Sequence, residues 1–493
     1  MTVGKYKEIG TFIRLEGVVN MFKIKKMLAL TVAVVSALGI CACGDQTEEN
    51  ETKETTVTTV EKVEVEDTEE IEELTEDTQK EIVWMGTYDL NPDESKGEDK
   101  SVEMTLFNNK GGTVIWNQVA DNEKFDKLAS AIMSQQNVPD IFKYEWMAFP
   151  AQVLKDMYLP VDDIVDFDDP LWADTKATAD GFVMNGKHYV APISTTVGTM
   201  MMYDKAVFEA NGLSDPYEEY LAGNWNWDTW VDMMSEFCNN STDDAPRYGI
   251  NGWFQPQIIQ QTGKTMVNYE DGKFVSNLND PDIERAENLL YDIGKNGYVN
   301  SNWLGNAKSA LKDGTVLFYC MGTWAMTGNN GPAEGDDYGL VPVPADPQND
   351  EKCMTADMTA YMWVRGSTAS DAVKTWFECC RIANTEEEYR ENNKQKFLNA
   401  NPCWTEEMYD TFMEASDTSN KLVFDYGYGI SSAMSDDNAS VDGSCITRKL
   451  YESTNREDDY GKQFSWAEVR ETYSATVDTE LKALNDAVTA YTK

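Results

Sequence analysis

Histidine is nearly absent: His188 is the only one in 493 residues. That excludes histidine-built zinc sites and Ser-His or Cys-His catalysis, which need an imidazole as ligand or base. His188 itself follows Asn185-Gly-Lys, a turn entering a strand, and is assigned to packing. Cationic residues are scarce as well. With 41 Lys and Arg against 86 Asp and Glu, the net charge is −45. Such a surface repels nucleic acid and anionic lipid, so neither is expected as a partner. Seven cysteines lie beyond Cys43, at Cys238, Cys320, Cys353, Cys379, Cys380, Cys403 and Cys445. An odd number without Cys-x-x-Cys spacing is neither a disulfide framework nor a metal cluster, though one or two bridges stay open. Cys320, Cys379 and Cys380 sit in apolar segments and read as small buried hydrophobes. Catalytic motifs are missing too: there is no GxSxG or HExxH, and the phosphate-loop fragment Gly263-Lys264-Thr265 has Ile258 where a glycine is required. No cofactor and no metal is expected. Asp436, Asp437, Asn438 and Asp442 read as a solvated loop rather than a calcium site.

What is present begins at Met21, where Lys23, Lys25 and Lys26 precede fourteen uncharged residues, Met27 to Ile40. That length suits the apolar segment of a secretory signal and falls short of the roughly 20 residues that span a bilayer. The run ends in Ile40-Cys41-Ala42-Cys43-Gly44, which resembles the lipobox of bacterial lipoproteins. The resemblance implies cleavage before Cys43 and lipid attachment to it. Cys41 fits less well, because bulky Ile40 stands where the peptidase needs a small residue. Residues 1–20 match no part of a signal and are read as an upstream extension, with 21–42 the signal peptide.

Residues 44–81 hold sixteen Asp or Glu against three Lys, with one Gly and no Pro or aromatic residue. Like charges at this density stay solvated. The expectation is a lipid-bearing, acidic, disordered tether over 43–81, of which the 38 residues from Gly44 would stretch to roughly 125 Å at about 3.3 Å each. Beyond it remain about 410 residues, long enough for two domains. They are rich in aromatics, and several of the 14 Trp stand in polar contexts such as Asn224-Trp-Asn-Trp and Asn251-Gly-Trp. Flat apolar rings beside amides and carboxylates suit a sugar.

Strand and helix patterns alternate along this part. Strands are expected at Glu81–Tyr88, Gly112–Asn117, Asn137–Phe142, Thr315–Cys320 and Ala360–Val364. Helices are expected over Ser101–Asn108, Asn122–Ser134, Trp227–Cys238 with Asn226 as cap, Asp280–Gly294, Ser301–Asp313, Ser370–Ile382 and Ser465–Tyr491. Strands joined by helix-length connections predict an α/β layer with parallel pairing.

Several segments then occur in a telling order. They are Pro139-Asp-Ile, Gly186-Lys-His-Tyr-Val-Ala-Pro, Met200-Met-Met-Tyr-Asp-Lys, Gly223-Asn-Trp-Asn-Trp, Met321-Gly-Thr-Trp, Tyr338-Gly-Leu-Val-Pro-Val-Pro and Ser465-Trp-Ala-Glu-Val-Arg. Together they resemble family 1 extracellular solute-binding proteins, the receptors of carbohydrate ABC importers. The resemblance covers residues 82–493. It implies a two-lobed periplasmic-binding-protein-like fold, each lobe a mainly parallel sheet flanked by helices, with ligand in the cleft between. Lobe 1 would be 82–193 plus 356–402, and lobe 2 would be 194–355 plus 403–493. Chain crossings are expected near Pro192–Thr199, Cys353–Thr359 and Asn401–Trp404.

Ligands of open α/β sheets bind at the carboxyl ends of strands. That rule nominates Tyr88, Trp146, and Trp253 with Asn251. Trp324 matches the Met-Gly-Thr-Trp position, where the family's tryptophan stacks on sugar. Tyr361 and Trp363 stand at the re-entry to lobe 1, Tyr426 in a Gly-rich loop, and Asp357 beside the second crossing as a hydroxyl acceptor. The partners so implied are a carbohydrate, an ABC permease and, through lipid, the membrane. The chain is expected to be a monomeric non-enzyme on the outer face of the cell membrane. Two alternatives stay open: a surface glycoside hydrolase, which needs no histidine, and a same-fold receptor for a peptide or polyamine.

Overall fold

The computed structural model describes residues 65, 68, 71–93, 95, 99–335, 337–435, 445–458 and 461–491. All of these except 93, 95 and 99 belong to one compact unit, Thr55–Pro92 with Lys100–Lys493. Residues 1–20, the signal at 21–42, Cys43 and the acidic loop at Asp436, Asp437, Asn438 and Asp442 lie outside the described residues.

Strand β1 (Glu81–Gly86) lies between β2 (Thr113–Gln118) and β3 (Ile141–Lys143), parallel to both. A short hairpin, β4 (Val183–Met184) and β5 (Lys187–His188), turns on Asn185 and Gly186, both at positive φ. Next comes β6 (Ala191–Val197), and two residues later the chain is in a second sheet. There β7 (Met200–Asp204) pairs antiparallel with β11 (Val316–Met321) and β12 (Tyr338–Pro342). Strand β8 (Tyr248–Gly252) runs parallel to β11. A separate hairpin, β9 (Val267–Glu270) with β10 (Lys273–Ser276), follows β8 in the chain. The long strand β13 (Cys353–Trp363) then returns to the first sheet, antiparallel to β6 and β3, and β14 (Lys421–Val423) joins its first residues.

The class is α/β with two sheets, as expected. Both sheets are mixed: β6 and β7 pair only antiparallel and β13 is antiparallel to β3 and β6, so three of the five pairings in the first sheet and one of the three in the second are parallel.

Local chemistry explains most element boundaries. Asn226 accepts hydrogen bonds from the Asp228 and Thr229 amides, and the helix Trp227–Cys238 buries Trp227, Trp230, Met234 and Phe237 at helical spacing. Asp280 caps Pro281–Lys295 in the same way, with proline at the first position. The helix expected over Ser301–Asp313 is only Ala307–Leu311, because Gly305 adopts φ 72 and Asn306 restarts the turn as a cap. Among the described residues no disulfide joins these seven cysteines, and five of them are buried, Cys320, Cys379 and Cys380 included.

Trp84, Ile141 and Trp363 of the first sheet pack with Phe107, Trp376 and Phe377 from helices Val102–Asn109 and Ser370–Thr385. A larger core runs from Met85 and Phe142 through Phe149, Phe274 and Tyr426 to Tyr203 and Phe318 of the second sheet. The smaller core also absorbs the end of the acidic stretch: Ile71 and Leu74 are buried among Phe107 and Trp84. The Leu74 amide donates to the Lys110 carbonyl at 3.0 Å, and Lys110 Nζ to the Thr68 carbonyl at 2.5 Å. Burying two aliphatic side chains contributes about 1.5–3 kcal/mol each. The expectation of a tether through residue 81 is corrected accordingly. Its last eleven residues, from Ile71, are part of the folded body.

Candidate functional site

Parallel pairing brings strand ends together. β1 and β3 run side by side, so Thr87-Tyr88 and Tyr144-Glu145-Trp146 emerge at one edge of the first sheet. Gly252 faces Cys320 across β8 and β11, so Trp253 and Gly322-Thr323-Trp324 emerge together from the second. Trp253 is pinned there by its amide, which donates to the Cys320 carbonyl at 2.8 Å. Only glycine permits this approach. Gly252 holds φ 108, and a Cβ on it would stand 2.0 Å from the Cys320 oxygen.

Loops from the two sheets meet at Trp146. Its ring lies 5.4 Å from that of Trp253, edge to face, and 4.5 Å from Tyr428. Tyr428 reaches it because Gly429 nests against the Phe149 and Trp146 carbonyls, where a Cβ would come within 1.8 Å and 3.0 Å. Sequence reasoning named Tyr426 in this loop and missed Tyr428. The Tyr-Gly-Tyr-Gly pattern was the signal, but it does not tell which tyrosine turns inward.

Trp324 is 55 % exposed, its ring folded over Gly322. Gly322 abuts the carbonyl of Gly198, the link between β6 and β7, and Gly198 in turn abuts Asp357 Cβ. Trp324 and Asp357 are thus linked by successive close contacts through Gly322 and Gly198. Asp357 is reached by solvent, yet it lies so deep among surrounding protein that desolvation raises its carboxyl above the usual range, with Lys143 acting in the opposite sense. A charged group that is wet but poorly hydrated is what a concave site provides. Tyr88, 47 % exposed, lines a small cavity with Lys124, Lys143 and Glu145, and burial followed by the Glu145 charge raises its hydroxyl. Lys124 pairs with Glu145 at 3.4 Å.

Four nominees are placed elsewhere. Tyr361 and Trp363 lie on the same face of β13 as Asp357, but helix Ser370–Thr385 roofs that end of the strand. Tyr361 stacks on Phe377 at 5.8 Å and meets Trp84 edge-on at 5.7 Å. Both residues are core. Tyr426 is buried among Phe149, Phe182 and Phe274 and donates its hydroxyl to the Gly181 carbonyl at 2.8 Å. Asn251 is buried, with its amide donating to the Asn300 and Asn302 carbonyls at 2.8 Å each. It shapes a loop rather than facing a ligand.

A larger cavity, 490 Å³, lies away from these strand ends, bounded by Asp162, Phe167, Trp172, His188 and Glu378. His188 there places Nδ1 2.7 Å from Asp162 and Nε2 3.0 Å from Asp180, so both ring nitrogens tie chain segments together. Among the described residues no group of three His, Cys, Asp or Glu is arranged to hold a metal ion.

The arrangement brings together aromatic rings, a desolvated carboxylate and a lysine. Residues 106–401 match the family model for bacterial extracellular solute-binding proteins. No curated protein matches the sequence. Among solved structures, the chain is similar to the ABC substrate-binding protein Lmo0181 from Listeria monocytogenes in complex with cycloalternan. The TM-score is 0.54 at 15 % identity, covering 80 % of this chain and 99 % of that one. The GacH receptor of Streptomyces glaucescens, solved unliganded and with acarbose, gives 0.55 and 16 %, covering 82 % and 98 %. The sugar-binding protein MalE from Xanthomonas citri gives 0.56 and 15 %, covering 83 % and 98 %. At such identities the likeness establishes the two-lobed fold.

Proposed function

The chain belongs to the bacterial extracellular solute-binding proteins, and from that premise we propose that it is a receptor that binds a carbohydrate, an oligosaccharide, between its lobes and delivers it to an ABC permease. The observation that carries this reading is the meeting of Trp146 and Trp253, half-buried rings on loops of the two sheets backed by buried Tyr428, with exposed Trp324 and Asp357 linked through Gly322 and Gly198. Aromatic faces suit the C–H faces of sugar rings, and Asp357, Lys143 and Glu145 supply acceptors and a donor for hydroxyls. The sugars named for the solved relatives point the same way. The ligand leaves unchanged, since the site's work is binding. Closure of the lobes is favoured by ligand and read by the permease.

Lobe 1 is proposed as 82–193 plus 356–402 and lobe 2 as 194–355 plus 403–493, with the adjacent strands β6 and β13 serving as two of the links. For location we propose lipid attachment at Cys43, with the acidic residues between it and the folded body acting as spacer. Among the described residues no helix is long and apolar enough to cross a membrane. The protomer is proposed to act as a monomer.

The test is a thermal-shift and tryptophan-fluorescence screen of mono- and oligosaccharides, with peptides and polyamines as controls. A sugar should raise the melting temperature by mass action and be recovered intact, and Trp146→Ala should abolish the shift. Turnover of a glycan would defeat the receptor reading. A response to peptide or polyamine alone would defeat the carbohydrate one. Cys43→Ala should release the protein from cells with ligand binding intact.

A further inference from the structure

Trp303 is 70 % exposed, more so than any other tryptophan among the large exposed hydrophobics of the described residues. Leaving an indole in water forgoes the burial that normally places it, so its setting matters. It stands in the loop between Val299 and the helix Ala307–Leu311, and that loop is not loose. The Asn300 amide donates to the Ile250 carbonyl at 2.9 Å, and Asn251 holds the Asn300 and Asn302 carbonyls from the neighbouring strand β8. Asn302 donates its amide back to the Asn300 side chain at 3.0 Å. Leu304, next in the chain, packs in the same apolar cluster as Trp253 and Met321. At φ 72, Gly305 lets the Trp303 indole lie against the backbone, 3.3 Å from the point where a Cβ would sit. The ring is thus presented from a fixed loop on the edge where Trp253 and Trp324 also emerge.

The charge pattern of this edge is the second observation. A quarter of the residues are charged, and the chain carries a net −45. Yet residues 296–307 and 314–333, the segments that supply Trp303 and Trp324, contain no Asp, Glu, Lys or Arg. Asn300, Asn302, Asn306 and Asn330 stand there instead. The indoles and amides of these two segments bring no charge of their own with which to attract an ionic partner. They suit a neutral polyhydroxylated chain, which offers C–H faces to the rings and hydroxyls to the amides.

We infer that Trp303 is an outer platform of the ligand site, stacking on a sugar unit of an oligosaccharide that extends past the inner aromatics onto the rim of the second sheet. This rests on the carbohydrate reading above and adds a length requirement to it. Covering one face of an indole with a sugar removes enough apolar surface for about a ten-fold gain in affinity. Only chains long enough to reach Trp303 obtain that gain.

The experiment is calorimetric titration of the full chain with linear oligosaccharides of increasing length in several linkages, comparing wild type, Trp303→Ala and Trp303→Tyr. Because the side chain is exposed, neither substitution should alter the melting temperature of the free protein. The expected result is an affinity in wild type that rises at one step of the length series. Trp303→Ala should erase that step, about ten-fold, while shorter chains bind as before, and Trp303→Tyr should restore most of it. If short chains bind and Trp303→Ala changes no length, or changes all lengths equally, the outer platform is wrong and the receptor reading stands. If no oligosaccharide binds wild type, the carbohydrate reading is wrong and the platform falls with it.

Discussion

Glu287 offers a quantitative test of how the second sheet's helices are packed. It lies mid-helix in Pro281–Lys295 and is 0 % exposed. Its Oε2 accepts a hydrogen bond from the Thr454 hydroxyl at 2.6 Å, whereas Oε1 has no partner. Among the described residues no cation pairs with it. Burial therefore raises its carboxyl well above the ordinary glutamate value of 4.5, and the single Thr454 bond only partly opposes this. The sign follows from proton counting. Above about pH 4.5 the unfolded chain has released this proton while the native protein still holds it. Native stability must then fall as pH rises, by about 1.4 kcal/mol per pH unit from this group alone, until the native carboxyl itself ionises. Its contribution is full below the ordinary glutamate range and lost above the raised one. Glu287→Gln keeps the shape and the Thr454 bond and cannot ionise. Denaturant unfolding of both proteins across about pH 4 to 8 should show the variant gaining on wild type with that slope, then levelling off. A difference independent of pH would refute the assignment, since it would mean that Glu287 has the same proton affinity folded and unfolded.

Two further predictions concern the scaffold. Arg381, fully buried on helix Ser370–Thr385, donates to the Leu171 and Ile193 carbonyls and to Asp174. Replacing it with Met should cost about 2–4 kcal/mol, read as a lowered denaturation midpoint, because the buried Ile193 carbonyl and the part-buried Leu171 carbonyl lose their donors. Gly252→Ala would force a Cβ against the Cys320 carbonyl at a positive φ. It should cost about 3 kcal/mol or more and weaken ligand binding by displacing Trp253, whereas Gly212→Ala, at φ 71 with open space around it, should cost about 1 kcal/mol.

Much of the architecture was legible because it is written locally. Helix Trp227–Cys238 carries its cap at Asn226 and its buried stripe within twelve residues, so its boundaries follow from spacing alone. The alternation of elements and the order of short segments were enough for the α/β class and the family. Composition settled the absence of histidine chemistry. Trp146 and Trp253 were nominated by the strand-end rule and Trp324 by the Met-Gly-Thr-Trp resemblance, and each does follow a strand end in the structure.

Tertiary structure decided what depends on a distant roof or neighbour. Asp357 and Tyr361 have the same period-two address on β13. One is open and the other is core, because helix Ser370–Thr385 covers only the far end of the strand. Tyr428 rather than Tyr426 meets Trp146 because Gly429 docks on carbonyls more than 270 residues earlier in the chain. Ile71 and Leu74 looked like part of a solvated acidic run, and Lys110 and Phe107, on another element, draw them into the core. Trp303 gave no sequence signal at all, since an indole in a polar loop is indistinguishable from one destined for burial until the surrounding loop is seen to be pinned with the ring outside. Periodicity reports which side of its own element a residue occupies. What lies on that side is set by chain segments far away in sequence, and that only the folded molecule supplies.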